Sequence, residues 1–315
     1  MEVQNQKIAD VDWDAIHSQI TPSLYSPESL SIYENLDLLT ITNDRLPLAI
    51  WPIPFHWKEG KKIAQRQVRL LPYHAPLLLK HHALDKRGLV SIFIQYLQEH
   101  YHAIDLPLAP RFHDLAAFSA AGIYVEWRNT HLFSPSQPFK EHISSKVRNH
   151  IQSAQKETSI TRSQNGEEFD FNLGVITSDE SHRAARKQLA CSLIDKGYGI
   201  VFSAISNGIA VGQALVVHDR QTAYLFHTWF KKNSIRGIPS LLISTAIEWA
   251  FATRHLQFFD LEGSIIPAID RFFASLGGLQ TPYAYVQWCK DKQEMLTMVD
   301  NCLFLPLRLE AVKKC

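Results

Sequence analysis

At 315 residues the chain is long enough for two domains of ordinary size. Its 46% hydrophobic and 20% charged residues are a globular profile, and a formal net charge of +1 argues against a generic nucleic-acid coat while allowing a local basic patch that holds a phosphate. Cys191, Cys289, Cys302 and Cys315 stand far apart with no CxxC, the start MEVQNQKIADVDWD is no signal peptide, and no apolar run approaches the roughly 20 residues that span a bilayer, so a reduced, cytoplasmic setting is expected.

Leu36 to Thr42 reads as a first strand. Asn43-Asp44 breaks it, and Leu46 to Phe55 returns, with Pro52 and Pro54 suiting an edge or a bulge. Val90 to His100 reads as a helix, and a strand then meets Asp105-Leu106. Ser134-Pro135-Ser136-Gln137-Pro138 gathers turn formers and marks a boundary between residues 1–138 and 139–315. Glu141 to Lys156 reads as a helix with Ile143, Val147, Ile151 and Ala154 on a narrow apolar stripe, and Lys146, Arg148 and Lys156 off it. Thr177-Ser178-Asp179-Glu180 has the form of a capping box, opening a helix that runs to Lys196 and stops at Gly197. Ile200 to Ser206, Ile209 to His218 and Thr222 to Phe230 read as strands, the first two joined by Asn207-Gly208. A helix from Pro239 to Arg254 follows, then the strand Phe258-Phe259-Asp260, a turn at Gly263 and a short helix carrying Arg271. Leu303 to Lys314 reads as a last helix, a candidate to pack back on the first domain.

Two echoes run through this order. Ile41-Thr42-Asn43 matches Ile205-Ser206-Asn207, and the approach from His102 to Asp105-Leu106 matches that from His255 to Asp260-Leu261. Each half thus has a hairpin, more strand, a helix, a strand and an acid. The expected fold class is α/β (α+β), with two related domains, each a mixed sheet flanked by helices.

Asp260 and Glu262 stand two apart in an extended run and are expected to share one face, with Arg271 close by. Carboxylates at a strand end beside a glycine turn are well placed for chemistry, and Asp260 can equally cap the turn while Arg271 pairs with an acid. Lys146 and Arg148 suit a phosphate or carboxylate, or form a solvated face. Arg236-Gly237-Ile238-Pro239 enters a helix whose free N–H groups attract phosphate, or is an ordinary helix start. Tyr283-Ala284-Tyr285-Val286-Gln287-Trp288 lines a cleft or lies in the core. The 15 histidines include the close pairs His81-His82 and His100/His102, but no HExxH spacing occurs, so no metal is expected. No Ser-His-Asp or Cys-His pairing suggests a covalent acyl-enzyme.

The run Phe258-Phe259-Asp260-Leu261-Glu262-Gly263-Ser264, with Arg271-Phe272-Phe273 and Leu276-Gly277-Gly278, resembles the C-terminal half of the Fem-type (FemAB-like) double-GNAT acyltransferases, which carry FDFxGS…RFF…G. Their K-x-R-x-x-I-x-x-A segment is similar to the stretch holding Lys146, Arg148, Ile151 and Ala154. The resemblance runs from about Leu36 to Trp288 and implies two tandem GNAT-like domains. It implies a bacterial N-acyltransferase that takes an acyl or aminoacyl group from acyl-CoA, acyl carrier protein or aminoacyl-tRNA to an amine, such as one on a cell-wall or lipid precursor, with no covalently bound cofactor. Residue by residue, it implies catalysis by Asp260 and Glu262, donor pyrophosphate at Arg236, Gly237 and Ile238, and substrate at Lys146, Arg148, Ser264, Arg271 and Tyr285. The family's phosphate loop, Q/R-x-x-G-x-G/A, is kept only at its end, and Pro239 lacks the N–H expected there. No coiled-coil arm for tRNA is present in the sequence. A second reading is a double-GNAT protein that binds its ligand without turnover.

Overall fold

The computed structural model describes residues 2–14, 16, 25–43, 46–65, 71–79, 86–110, 112, 114–137, 139–174, 180–231, 235–263, 266–291, 293 and 295. The capping box at 177–179, Ser264, the His81-His82 pair and the last helix expected over 303–314 lie outside the described residues.

The first elements are β1 (Val3–Gln6), α1 (Pro27–Leu30), β2 (Leu36–Asn43), β3 (Leu46–Lys58), β4 (Lys61–Gln65), β5 (Leu77–Leu78), α2 (Lys86–His100), β6 (Ala103–Pro107) and α3 (Ala116–Ala120). Then come β7 (Tyr124–Phe133), α4 (Phe139–His142), α5 (Ser145–Glu157), β8 (Ser159–Ser163), α6 (Glu180–Asp195) and β9 (Gly199–Ser206). The remainder are β10 (Ile209–His218), β11 (Thr222–Phe230), α7 (Ile238–Ala252), β12 (Phe258–Asp260), α8 (Pro267–Ser275) and β13 (Leu279–Cys289).

These form two units. The first takes residues 1–20, 33–128 and 283–315, and the second takes 21–32 and 129–282. The chain therefore leaves the first unit between Arg128 and Asn129, inside β7, earlier than the turn-rich stretch after which the second domain was expected. It returns to the first unit at Tyr283, inside β13.

In the first unit the strand order is β1-β2-β3-β4-β6-β13, with β5 beside β3. Strands β4 and β6 are parallel over Ile63↔Ala103 to Gln65↔Asp105, and β13 runs antiparallel to β6 with Gln287 opposite Asp105. Pro52 and Pro54 face Leu38 and Leu36 of β2. On the other side of β3, β5 pairs Ala49 and Ile50 and β4 pairs Phe55 to Lys58. Residues 51–54 thus have a strand on one side only, where proline's missing N–H is tolerated. Helix α2 buries Leu89, Val90, Phe93, Ile94 and Leu97, which meet Trp51, Ile104 and Leu106 in one core.

In the second unit the order is β7-β12-β11-β10-β9-β8. Its hairpin turn is Asn207 (φ 50°) and Gly208 (φ 75°), as the Asn-Gly pair implies. The core joins Val147 and Ala154 of α5, Ile238, Leu242, Ala246 and Ile247 of α7, and Phe202, Val216, Leu225 and Phe259 from the sheet. The helix expected over 141–156 is instead two helices, α4 and α5. Ser144 breaks the run, because its hydroxyl caps the second helix by accepting from Val147 N at 3.3 Å. The expected alternation of Asp260 and Glu262 also fails. Strand β12 stops at Asp260, and Glu262 takes φ 60°.

Each unit repeats one arrangement: a hairpin, a parallel pair of strands, and an aspartate at the third position of that pair. Asp105 stands opposite Gln65 and Asp260 opposite Tyr224.

Candidate functional site

Strand β12 spans only Phe258–Asp260. It pairs with β11 only from Thr222↔Phe258 to Tyr224↔Asp260, while β11 continues to Phe230. On its other side, β11 carries an irregularity against β10. Leu215 faces His227 and Val216 faces Leu225, so Phe226 has no residue opposite it.

Asp260 is the last residue of β12 and is 1% exposed. Its Oδ1 accepts the Thr130 hydroxyl of β7 and the backbone N–H of Glu262, the latter at 2.7 Å. Leu261 N donates to the His131 carbonyl at 3.2 Å. Glu262 and Gly263 then follow in left-handed conformations, φ 60° and 66°. At Gly263 only hydrogen fits, since a Cβ there would lie 2.4 Å from the Asn129 carbonyl oxygen. For Glu262 the left-handed conformation costs about 1–2 kcal/mol, and the bond from Asp260 to its amide offsets part of that. Beside this turn, burial first and then the charges of Asp219 and Asp260 push the Tyr224 phenol well above its usual range. The phenol stays protonated and donates to Asp219 Oδ2 at 3.2 Å.

The entry to α7 is built on Gly237, which caps the helix at φ 98°. Its carbonyl accepts Leu241 N at 2.9 Å. A Cβ on Gly237 would meet the His150 carbonyl oxygen of α5 at 2.3 Å. Ile238 N reaches the Ile235 carbonyl at 3.5 Å, and Pro239 has no N–H, so few backbone donors are left to hold an anion. Burial, then Arg236 and Lys146, lower the His150 imidazole below its usual range, so these two cations act on one histidine beside the helix entry. Ile238 is fully buried and offers only backbone, while Arg236 and Lys146 are exposed. Arg148 is also exposed, and its guanidinium Nη2 donates to the Lys140 carbonyl at the end of α4 at 3.2 Å.

Two more of the expected residues lie elsewhere. Arg271 is exposed on α8, and its neighbour Asp270 takes the imidazole of His131 through Nε2 at 2.9 Å. Tyr285 belongs to the first unit, where the Arg128 guanidinium lies 3.7 Å from its ring centroid. Arg128 is also bidentate on Glu126, at 3.0 and 2.9 Å. Burial pulls that guanidinium down, and the hydrogen bonds and charge of Glu126 outweigh burial and raise it.

The structure thus brings Asp260 to Glu262, and the charges of Lys146 and Arg236 both bear on His150. Thr130, His131 and His150 were not singled out from the sequence. Tyr124 to Phe133 is rich in aromatic and β-branched residues (Tyr124, Val125, Trp127, Thr130 and Phe133), which is the signal that could have found β7 and with it Thr130 and His131.

No family model and no curated protein matches this sequence. Solved structures do match by shape. FemX is 12% identical with a TM-score of 0.64, covering 95% of this chain and 100% of that one. The C-terminal domain of a putative lysylphosphatidylglycerol synthetase from Agrobacterium fabrum is 12% identical with a TM-score of 0.55, covering 94% and 97%. A tandem GNAT protein from the clavulanic acid biosynthesis pathway is 11% identical with a TM-score of 0.52, covering 91% and 97%. The chain has a Fem-like double-GNAT fold.

Proposed function

We propose that this chain is an acyltransferase that passes an acyl or aminoacyl group directly from a phosphate-bearing donor to an amine. The observation that carries this reading is the end of β12. There the parallel ladder stops at Tyr224↔Asp260, β11 continues to Phe230 paired with β10 but with no further ladder to β12, and a buried aspartate bonds the amide of Glu262 in a left-handed turn. Backbone groups on that side of β11 suit an extended, amide-bearing donor arm, which can add to the edge as a strand does.

Glu262 is the proposed catalytic acid-base group and Asp260 the residue that positions it, since Asp260 is enclosed and already bonded to Thr130 and to the Glu262 amide. The amine nitrogen attacks the acyl carbonyl carbon. Its proton passes to the Glu262 carboxylate, the bond from the acyl carbon to sulfur (or to oxygen in an ester donor) breaks, and the leaving group takes a proton from solvent. Lys146, Arg236 and His150 are the proposed contacts for the donor's phosphate, a group common to acyl-CoA, the prosthetic arm of acyl carrier protein and aminoacyl-tRNA. Gly237 and Ile238 shape that entry, and Arg148, Ser264, Arg271 and Tyr285 are proposed substrate contacts. Amines on cell-wall or lipid precursors are the proposed acceptors. Among the described residues no helix is long and apolar enough to cross a membrane, and the proposed setting is the cytoplasm.

The second reading, binding without turnover, draws on the entry to α7, where Pro239 lacks an N–H and the His150 carbonyl packs against Gly237. Thiol release from acetyl-CoA and longer acyl-CoAs, and deacylation of aminoacyl-tRNA, over a mixture of amines separates the two. Transfer gives amine-dependent release that slows about 10²–10⁴-fold in Glu262→Gln. Donor binding with no amine-dependent release leaves the second reading.

A further inference from the structure

Strand β7 contributes two consecutive residues to the strand end just described. Thr130 bonds Asp260, and His131, whose side chain points to the other side of the strand, bonds Asp270. His131 is 2% exposed, while the Asp270 side chain is 36% exposed. The imidazole is enclosed: its edge meets Phe273 at 6.3 Å between centroids, and a Cβ on Gly278 would lie 3.2 Å from its Cβ. Among the described residues His131 Nδ1 is buried with no hydrogen-bond partner. A proton placed there would be a buried donor without an acceptor, so the ring carries its proton on Nε2 and donates it to Asp270.

Asp270 and Arg271 are successive residues of α8. Arg271 is exposed, and among the described residues it makes no hydrogen bond or ion pair. An acid near a helix start is favourable, and Asp270 fills that role while bound to His131. An exposed cation with no partner, next to a residue that is pinned from the core, is the arrangement expected for a ligand contact.

We propose that Arg271 takes an anionic group of a substrate, a carboxylate or a phosphate, and that His131 is the positioning residue that holds α8, through Asp270, in the orientation that presents it. The inference rests on the reading of the β12 end as the transfer centre, and it names the charge of one substrate group there. A guanidinium presents paired donors to either anion, so the chemistry is shared and the two sources are separated by experiment.

The experiment follows the side-chain Nε–H signals of ¹⁵N-arginine-labelled full-length protein by NMR, with Arg271 assigned from its loss in Arg271→Gln. Inorganic pyrophosphate and N-acetylglycine are titrated separately as the phosphate and carboxylate probes. The Arg271 signal is expected to shift and saturate with one of them, and that probe identifies the source. His131→Phe keeps a ring of similar shape but removes the donor, and it should weaken binding at Arg271 about 5-fold, the order one net hydrogen bond supplies. His131→Gln, whose amide N–H can reach Asp270, should restore affinity to near the starting value. Asp270→Ala cuts the same bond from the exposed side, and so gives the same loss even if His131→Phe does not fold. The Arg236 signal should respond alike in every variant. The proposal is overturned if neither probe shifts Arg271, if Asp270→Ala binds as tightly as the parent, or if His131→Gln is as weak as His131→Phe. Anion binding at Arg271 without amine-dependent transfer would remove the proposed reaction and leave this assignment standing. Transfer that is indifferent to Arg271→Gln would do the reverse.

Discussion

At the scale of single residues, the two acids that looked alike in the sequence have separate tasks. Asp260 is enclosed and accepts a hydroxyl and an amide, so its removal leaves two buried donors unpaired. Asp260→Ala is expected to destabilise the protein by about 1–3 kcal/mol in urea unfolding, whereas Glu262→Gln should leave the unfolding midpoint nearly unchanged while slowing transfer. Equal stability in the two variants would contradict that division. The pair was visible in the chain; its division of labour was not, because the turn that carries Glu262 packs on β7, far away in sequence, through Leu261 N on the His131 carbonyl and Gly263 against Asn129.

His218 gives a prediction in pH. Burial lowers its imidazole pKa most, the carbonyl of Asp219 opposes that, Arg254 lowers it further, and the carbonyl of Gly197 opposes again. Its ring nitrogens lie 2.7 Å and 3.1 Å from those two carbonyls, and a neutral ring can donate to only one of them. Since the folded state takes up this proton at lower pH than the unfolded state, the unfolded chain binds more protons between the lowered value and about 6.5. Stability therefore rises with pH through that window and is lost as pH falls through it toward the lowered value. Unfolding midpoints at pH 7.5 and 5.5 should differ less in His218→Gln than in the parent. An unchanged difference would show that His218 carries none of the effect.

At the scale of elements, helices and hairpins with local signals were legible. The Asn-Gly turn, the Ser-rich approach to α5 and the Pro-containing start of α7 are set by residues close in sequence. The exact breaks were less so: the stripe from Ile143 to Ala154 has a helical spacing on both sides of Ser144, and only the hydroxyl bonded to Val147 N shows where α5 begins. Strand β7 was missed because its partner, β12, lies more than a hundred residues away, with Phe133 opposite Phe259, and no local turn announces the pairing. At the entry to α7, Gly237→Ala would place a methyl group at φ 98° and against a backbone oxygen that cannot swing aside. The expected cost is at least about 1–2 kcal/mol, read as a lower unfolding midpoint, with weaker binding of any phosphate-bearing donor. A variant as stable as the parent would mean that α5 shifts freely away from α7.

At the scale of the whole molecule, the duplicated order read from the sequence appears in both units, down to the aspartate at the third position of each parallel pair. Their surroundings differ. Asp105 is held by two side-chain amides, Gln65 Nε2 at 2.9 Å and Gln287 Nε2 at 3.0 Å, whereas Asp260 holds the turn that carries Glu262. What the sequence alone did not show is how the chain passes between the units: β7 carries it out of the first unit into the second, and β13 completes the first unit only after α8 of the second. Such pairings are set by hydrophobic patterning over long separations, which short motifs do not record.

Amide formation at the end of β12 is the central step of the proposed function. The most direct test is mass spectrometry of the reaction products with carbon-13-labelled acyl donors, acyl-CoA and aminoacyl-tRNA in separate reactions, over a defined amine mixture, using the parent protein and Glu262→Gln at matched folded concentration. A labelled amide made by the parent and reduced about 10²–10⁴-fold in the variant is the predicted result. A labelled amide made equally by both proteins, or no amide from a protein that nonetheless binds the donors, would contradict it.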